Sequence, residues 1–175
     1  MSSRPTPRPR SDFSWFSPIQ TRWSDNDQYG HVNNVVYYAY FDTVVNAFLI
    51  GEAGLVPVTG PWMGLVVDTR CSFFAPSSYP EPLEAGIAFA ESGSSSQRYE
   101  IGIFKQGGQT TLAHGHFVHV YVDAANRRPI PLPESLKAAI ARARLAALPL
   151  RHVTGHAATI RLWTACIDCR DEPIA

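Results

Sequence analysis

The residues of this chain most able to do chemistry fall within a short stretch: Asp25, Asn26 and Asp27, then Gly30 and His31, then Asn33 and Asn34. They precede a long apolar run from Val35, which reads as a helix whose first turn leaves backbone amides unpaired at its positive dipole end. A carbonyl held there is polarised. A carboxylate within reach attacks an ester or thioester directly, or activates water to do so. Taken alone, Asp27 reads as a turn or cap before it reads as a catalyst, because short polar side chains fold onto nearby backbone donors.

The flanking elements must position these groups. Ile19, Thr21 and Trp23 alternate with Gln20, Arg22 and Ser24, which predicts a half-buried strand stopping at Ser24. Asp25, Asn26, Asp27 and Gly30 then predict a sharp turn. Asn33 or Asn34 is a favoured N-cap, and Tyr37, Tyr40, Phe41, Val44, Val45 and Phe48 recur at helical spacings until Gly51, the expected C-cap. Asp42 and Asn46 are almost the only polar breaks in this helix. It is therefore expected to be surrounded, and a curved sheet wrapped around it is the simplest solution.

The motif Asp25-x-Asp27-x-x-Gly30-His31-Val32-Asn33-Asn34, followed by Tyr37, Tyr40 and Phe41, resembles the hotdog-fold acyl-CoA thioesterases of the 4-hydroxybenzoyl-CoA thioesterase type. With weaker signals, the resemblance covers residues 16–147. It implies an α+β hotdog fold: an antiparallel curved sheet wrapped around a central buried helix, plus a C-terminal helix. It implies Asp27 as the catalytic carboxylate, acting as general base or nucleophile, with the carbonyl-polarising amide at Asn34 and His31 beside them. His31 either orients Asp27 or satisfies backbone groups, and Asp25 fixes the turn. Gly30, Tyr37, Trp62 and Ser95 become the substrate contacts, although Tyr37 reads equally as core and Trp62 reads first as a plug at the end of the core.

The implied reaction is acyl-CoA plus water giving a carboxylic acid and coenzyme A, with no metal and no cofactor, in a homodimer or homotetramer. Some of the family grip the nucleotide with a basic cluster before the fourth strand. Here that turn is Gly93-Ser94-Ser95-Ser96, which leaves a carrier-protein pantetheine open as the acyl carrier. A non-catalytic acyl-CoA sensor and an enoyl-CoA hydratase or dehydratase are the alternatives.

Further strands are expected over residues 65–74, 83–90, 97–106 and 110–122, with a Gly107-Gly108 hairpin turn and an Ala-rich helix over residues 134–148 carrying a Leu136, Ile140 and Ala143 stripe. Cys71 reads as packing, not nucleophile. His114 and His116 share a strand face but lack an evident third metal ligand, so they read as hydrogen-bonded sheet residues. Arg127 and Arg128 read as solvated surface, with phosphate binding the alternative.

Composition narrows the class. The 15 basic residues match 15 acidic ones, which gives no electrostatic case for nucleic acid or a membrane surface. Three cysteines do not make a disulfide framework, so a reducing cytoplasmic setting is expected. No stretch has the apolar length of a membrane span. The expected organisation is a disordered Pro- and Arg-rich leader over 1–12, one domain over 13–148, and a tail over 149–175 of unknown role. In that tail, His152, His156, Cys166 and Cys169 have zinc-ligand types in an order reversed from common fingers.

Overall fold

The computed structural model describes residues 4–147, so the four tail positions just named lie outside the described residues. Helix α1 (Asn34–Gly51) begins where its cap chemistry dictates: Asn33 is extended, and its Oδ1 accepts the Val35 amide at 3.1 Å. Gly51 stays inside the helix instead of ending it. Glu52 is the C-cap, and its carbonyl accepts the Arg142 guanidinium at 2.8 Å, a cation at the negative dipole end.

Five strands form one antiparallel sheet in the order β1-β3-β4-β5-β2, from β1 (Trp15–Ile19), β2 (Trp62–Phe73), β3 (Leu83–Ser92), β4 (Ser96–Lys105) and β5 (Ala113–Asp123). The first strand thus lies earlier than its alternation predicts. It stops at Ile19, and Trp23, expected on a buried face, is 80% exposed in a short 3-10 turn, Trp23–Asp25. The reason is local: the Arg22 amide and Nε both donate to the Asp25 carboxylate, at 2.7 and 2.9 Å, and curl the chain.

Strand period puts Ile87, Tyr99, Ile101, Ile103, Phe117 and Tyr121 on the inner face, against the buried Tyr37, Tyr40, Phe41, Val44, Val45, Phe48 and Leu49 of α1. Truncating the fully buried Phe41 or Phe48 to Ala would cost about 3–5 kcal/mol. The sheet covers one side of the helix only. Val35, Ala39, Asp42, Thr43 and Ile50 are exposed, so within one chain α1 is docked rather than surrounded. A second helix, α2 (Glu134–Ala146), closes the core with Leu136, Ala139, Ile140 and Ala143.

Two inner-face residues break the apolar pattern, the cross-strand pair Gln97 and His119; Gln97 accepts from Ser92 Oγ and donates to the Ala90 and Arg98 carbonyls. His119 is 2% exposed among the rings of Tyr99, Phe117 and Tyr121, and neither ring nitrogen has a partner among the described residues. Burial pushes its imidazole down to about 4. A Cβ at Gly64 would come within 2.7 Å of Nδ1, so the ring occupies space that a side chain at 64 would need. The neighbouring hydroxyls of Tyr99 and Tyr121 satisfy each other at 2.5 Å.

The outer face corrects the expectation of an unstructured leader. Residues 8–13 lie across it: the Arg8 amide donates to Thr111 Oγ1 at 2.8 Å, the Thr111 amide donates to the Arg8 carbonyl at 3.0 Å, and Pro9 bridges to Thr110. Phe13 packs edge-on to Phe104 at 5.3 Å, in space that Gly86 and Gly102 leave by lacking a Cβ. Apolar burial of Phe13 and Phe104 holds what composition alone would leave loose. Beside this arm, His114 bonds Glu100 at 2.9 Å, while His116 bonds Asp68 at 2.8 Å and Arg98 at 2.9 Å. Together with Arg98, His114 holds the Glu100 carboxyl down at about 2, although burial alone would raise it.

Strand β2 lies at the sheet edge, and its residues 65–70 are exposed on both faces. Leu65, Val66 and Val67 are 39%, 44% and 61% exposed, beside a register slip between Val66 and Asp68. No helix among the described residues is long and apolar enough to cross a membrane.

Candidate active site

The loop between the 3-10 turn and α1 is built on Asp25. This carboxylate is fully buried and accepts the Arg22 amide, the Arg22 guanidinium and the Tyr40 hydroxyl, the last at 2.8 Å. Burial alone would raise its pKa, but the hydrogen bonds from Tyr40 and Arg22 outweigh that and hold it below the ordinary value. The Asp25 carbonyl accepts the Asn33 amide at 2.9 Å, which ties both ends of the loop together. In sequence, Asp25 is legible only as a turn residue. Its burial depends on Tyr40, a hydroxyl on a helix face that is otherwise buried and therefore one that needs a partner.

Within this frame Asp27 donates its amide to the His31 carbonyl at 2.9 Å, and Gly30 turns the chain at φ +82°. Asp27 is half-buried. Its Oδ1 accepts the Tyr29 amide at 2.8 Å, and Oδ2 has no partner among the described residues. Asp27, Asn34 and Tyr37 line one cavity of about 390 Å³, walled by Phe73, Phe74 and Pro76. The Asn34 amide, the first of α1, makes no hydrogen bond among the described residues. Tyr37 is buried at the cavity wall, bonds Ser77 Oγ at 2.9 Å and packs edge-on to Phe73 at 5.1 Å. A carboxylate and the first residue of a helix, its amide unpaired among the described residues, on one cavity are the elements of acyl transfer: a base or nucleophile and an oxyanion donor.

Other expected site residues lie elsewhere. The His31 ring is exposed and makes no hydrogen bond to Asp27. Gly30 shapes the turn and is not among the residues lining this cavity. Trp62 and Ser95 lie at the opposite end of the sheet, because Trp62 pairs with Asp123 and the Ser95 carbonyl accepts the Tyr121 amide, whereas Phe73 pairs with Ala113. Trp62 and Met63 line a separate cavity of about 170 Å³ with Asn46, and Trp62 packs on Tyr121 at 5.6 Å. Cys71 is half-buried against the core, and burial pushes its thiol up to about 12, which suits packing rather than attack.

An antiparallel sheet laid on one long helix, with a carboxylate loop at the helix start, defines the hotdog class. Residues 21–140 match the model of the thioesterase-like superfamily, and the chain belongs to that family. It is similar to the crystal structure of PA5185 from Pseudomonas aeruginosa PAO1, at 45% identity and a TM-score of 0.76, covering 78% of this chain and 96% of that one. Slr0204 of Synechocystis, a 1,4-dihydroxy-2-naphthoyl-CoA thioesterase, shares the fold at 19% identity and a TM-score of 0.64, covering 72% of this chain and 94% of that one. Among curated proteins, YsmA of Bacillus subtilis strain 168, which is uncharacterised, is 26% identical over 87 residues, half of this chain and 58% of its own length.

Proposed function

We propose that the chain is a thioester hydrolase that converts an acyl-CoA and water into a carboxylic acid and free coenzyme A. The observation carrying this reading is one cavity lined by both Asp27 and Asn34, where neither the Asp27 Oδ2 nor the Asn34 amide has a partner among the described residues. The thioester oxygen sits on the helix amide. Asp27 then either takes a proton from water as that water attacks, or attacks the carbonyl itself to form a mixed anhydride that water opens. The amide stabilises the oxyanion by about 3 kcal/mol. The hydratase alternative needs a His poised with an acid at the cavity, and no histidine lines it: the His31 ring is exposed, and the acid-bonded His114 and His116 lie on the outer face of the sheet.

Two copies complete the site in this reading. A two-fold axis through the exposed β2 edge pairs β2 with its counterpart antiparallel, which brings the Trp62 end of one copy alongside the Phe73 end of the other. Trp62 and Ser95, remote from Asp27 within one chain, then approach the partner's cavity. We place the enzyme in the cytoplasm, where acyl-CoA is at hand. The decisive measurement is thiol release from short, long and aromatic acyl-CoAs by wild type and Asp27→Asn. A fall of at least about 100-fold in the variant is expected. A folded wild type that binds acyl-CoA but releases no thiol from any of them would refute the enzyme and favour an acyl-CoA sensor.

A further inference from the structure

Phe73 and Phe74, which wall the Asp27 cavity, also line a second one of about 580 Å³, otherwise formed by the N-terminal arm and by β2. Its polar lining is Arg4, Thr6, Arg70 and Ser72, with no carboxylate. The composition is unusual for this molecule. Arg8, Arg10, Arg22 and Arg98 each face an acid, namely Asp12, Glu84, Asp25 and Glu100, while Arg142 and Arg144 cap backbone carbonyls. Arg4 and Arg70 have no carboxylate partner among the described residues, and the Thr6 and Ser72 hydroxyls make no hydrogen bond there. Arg127 and Arg128 are also exposed, but they sit on the turn after β5 that Asp123 and Asn126 organise and do not line this groove.

The fold fixes this arrangement twice. Strand period sends Arg70 and Ser72 to the outer face and Cys71 and Phe73 to the inner one, and the cross-strand pairs Arg70 with His116 and Ser72 with His114 hold that register. The arm is anchored by the two Arg8–Thr111 bonds and the Pro9–Thr110 bridge, and its prolines at positions 5 and 7 stiffen the approach that puts Arg4 on the same cavity as Arg70. Two guanidinium forks and two hydroxyls form a donor set for phosphate oxygens; Glu100, which lines the adjoining cavity with Arg70 and Ser72, is taken up by Arg98 and His114. Along β2, Arg70 lies three residues from Phe73, roughly 10 Å at strand rise.

We propose that this cavity binds the nucleotide phosphates of coenzyme A, with the pantetheine arm crossing Phe73 and Phe74 to present the thioester to Asp27. The proposal rests on the thioesterase reading above and locates where its coenzyme A is held. It supplies the cationic grip that the Gly93-Ser94-Ser95-Ser96 turn lacks. Arg4 and Arg70 bind and do not take part in the chemical step.

The test uses the full chain and the acyl group that wild type turns over best, offered as acyl-CoA, acyl-3′-dephospho-CoA and acyl-pantetheine. For Arg70→Gln and Arg4→Gln, KM for acyl-CoA rises about tenfold, kcat stays within about twofold, and acyl-pantetheine kinetics stay unchanged. The dephospho substrate tells whether the 3′-phosphate or the pyrophosphate is gripped. Unchanged KM for acyl-CoA, or an equal rise with acyl-pantetheine, overturns the proposal. Calorimetric titration with coenzyme A measures binding without turnover: about tenfold weaker binding in Arg70→Gln supports the site even if no substrate is hydrolysed, and equal affinity overturns it. Turnover of acyl-carrier protein by a wild type that does not bind coenzyme A overturns it as well.

Discussion

His119→Phe should stabilise this protein, and by an amount that depends on pH. The imidazole is 2% exposed with both nitrogens unpartnered among the described residues, so the native state bears the desolvation cost of a polar ring without hydrogen bonds in return. A phenyl ring has similar bulk and meets the same three aromatic neighbours, Tyr99, Phe117 and Tyr121. At pH 7.5, where His119 is neutral in both states, the gain is about 1–3 kcal/mol. At lower pH a second effect adds to it. The folded imidazole titrates at about 4 against an ordinary 6.5, so between these values the unfolded chain binds a proton that the native one refuses. Wild-type stability therefore falls as pH drops through that window, by about 2 kcal/mol between pH 7.5 and pH 5, and the variant escapes the loss. Urea unfolding of both proteins at these two pH values and one protein concentration reads the gap directly. Equal or lower stability of the variant at pH 7.5, with parallel pH curves, would refute the reasoning and mean that the ring is satisfied in solution.

Tyr40→Phe removes the hydroxyl donated to buried Asp25 and should cost about 2 kcal/mol at neutral pH by urea unfolding. Asp25 titrates low in the native state, so its contribution is present above the unfolded carboxylate pKa and is lost as pH falls; the difference between wild type and variant should narrow in acid. Glu100→Gln, which breaks the pairing with Arg98 and His114, should destabilise by about 2 kcal/mol at pH 7. Because Glu100 titrates at about 2 when folded, that penalty should shrink as pH falls from 4.5 toward 2, as followed by circular dichroism.

Local patterns carry most of the fold, and the exceptions have physical causes. Helix α1 is legible because its cap and its apolar spacing are both short-range signals, and Asn33 does cap it. The start of the sheet is misplaced by pattern alone because the alternation at Ile19, Thr21 and Trp23 continues past the point where Arg22 and Asp25 curl the chain. Alternation records which faces are apolar, not which carboxylate is pulled inward. The N-terminal arm reads as unstructured because Pro and Arg dominate its composition, while its order depends on Phe13 and on gaps at Gly86 and Gly102 some seventy to ninety residues away. In the candidate site, Asp27, Asn34 and Tyr37 are legible as one motif because loop and helix start are contiguous in sequence. The Phe73 and Phe74 wall, the Tyr40 clamp and the His119 ring are not, since long-range strand register and helix docking create them.

The exposed β2 edge also bears on how the chain avoids misassembly. A twelve-residue strand with Leu65, Val66 and Val67 in the open is a template for any extended chain that meets it, and unprotected edges of this kind seed aggregation. Here the register slip between Val66 and Asp68 breaks the straight ladder, and Asp68 and Arg70 set charges of opposite sign beside the apolar run. A flat, uncharged intruder cannot follow that kink without losing hydrogen bonds, whereas a second copy related by a two-fold axis carries the same irregularity and the same alternating charges. The feature that makes the edge available is thus also the one that restricts who may use it, and straightening it by mutation would favour precipitation over the pairing of copies proposed above.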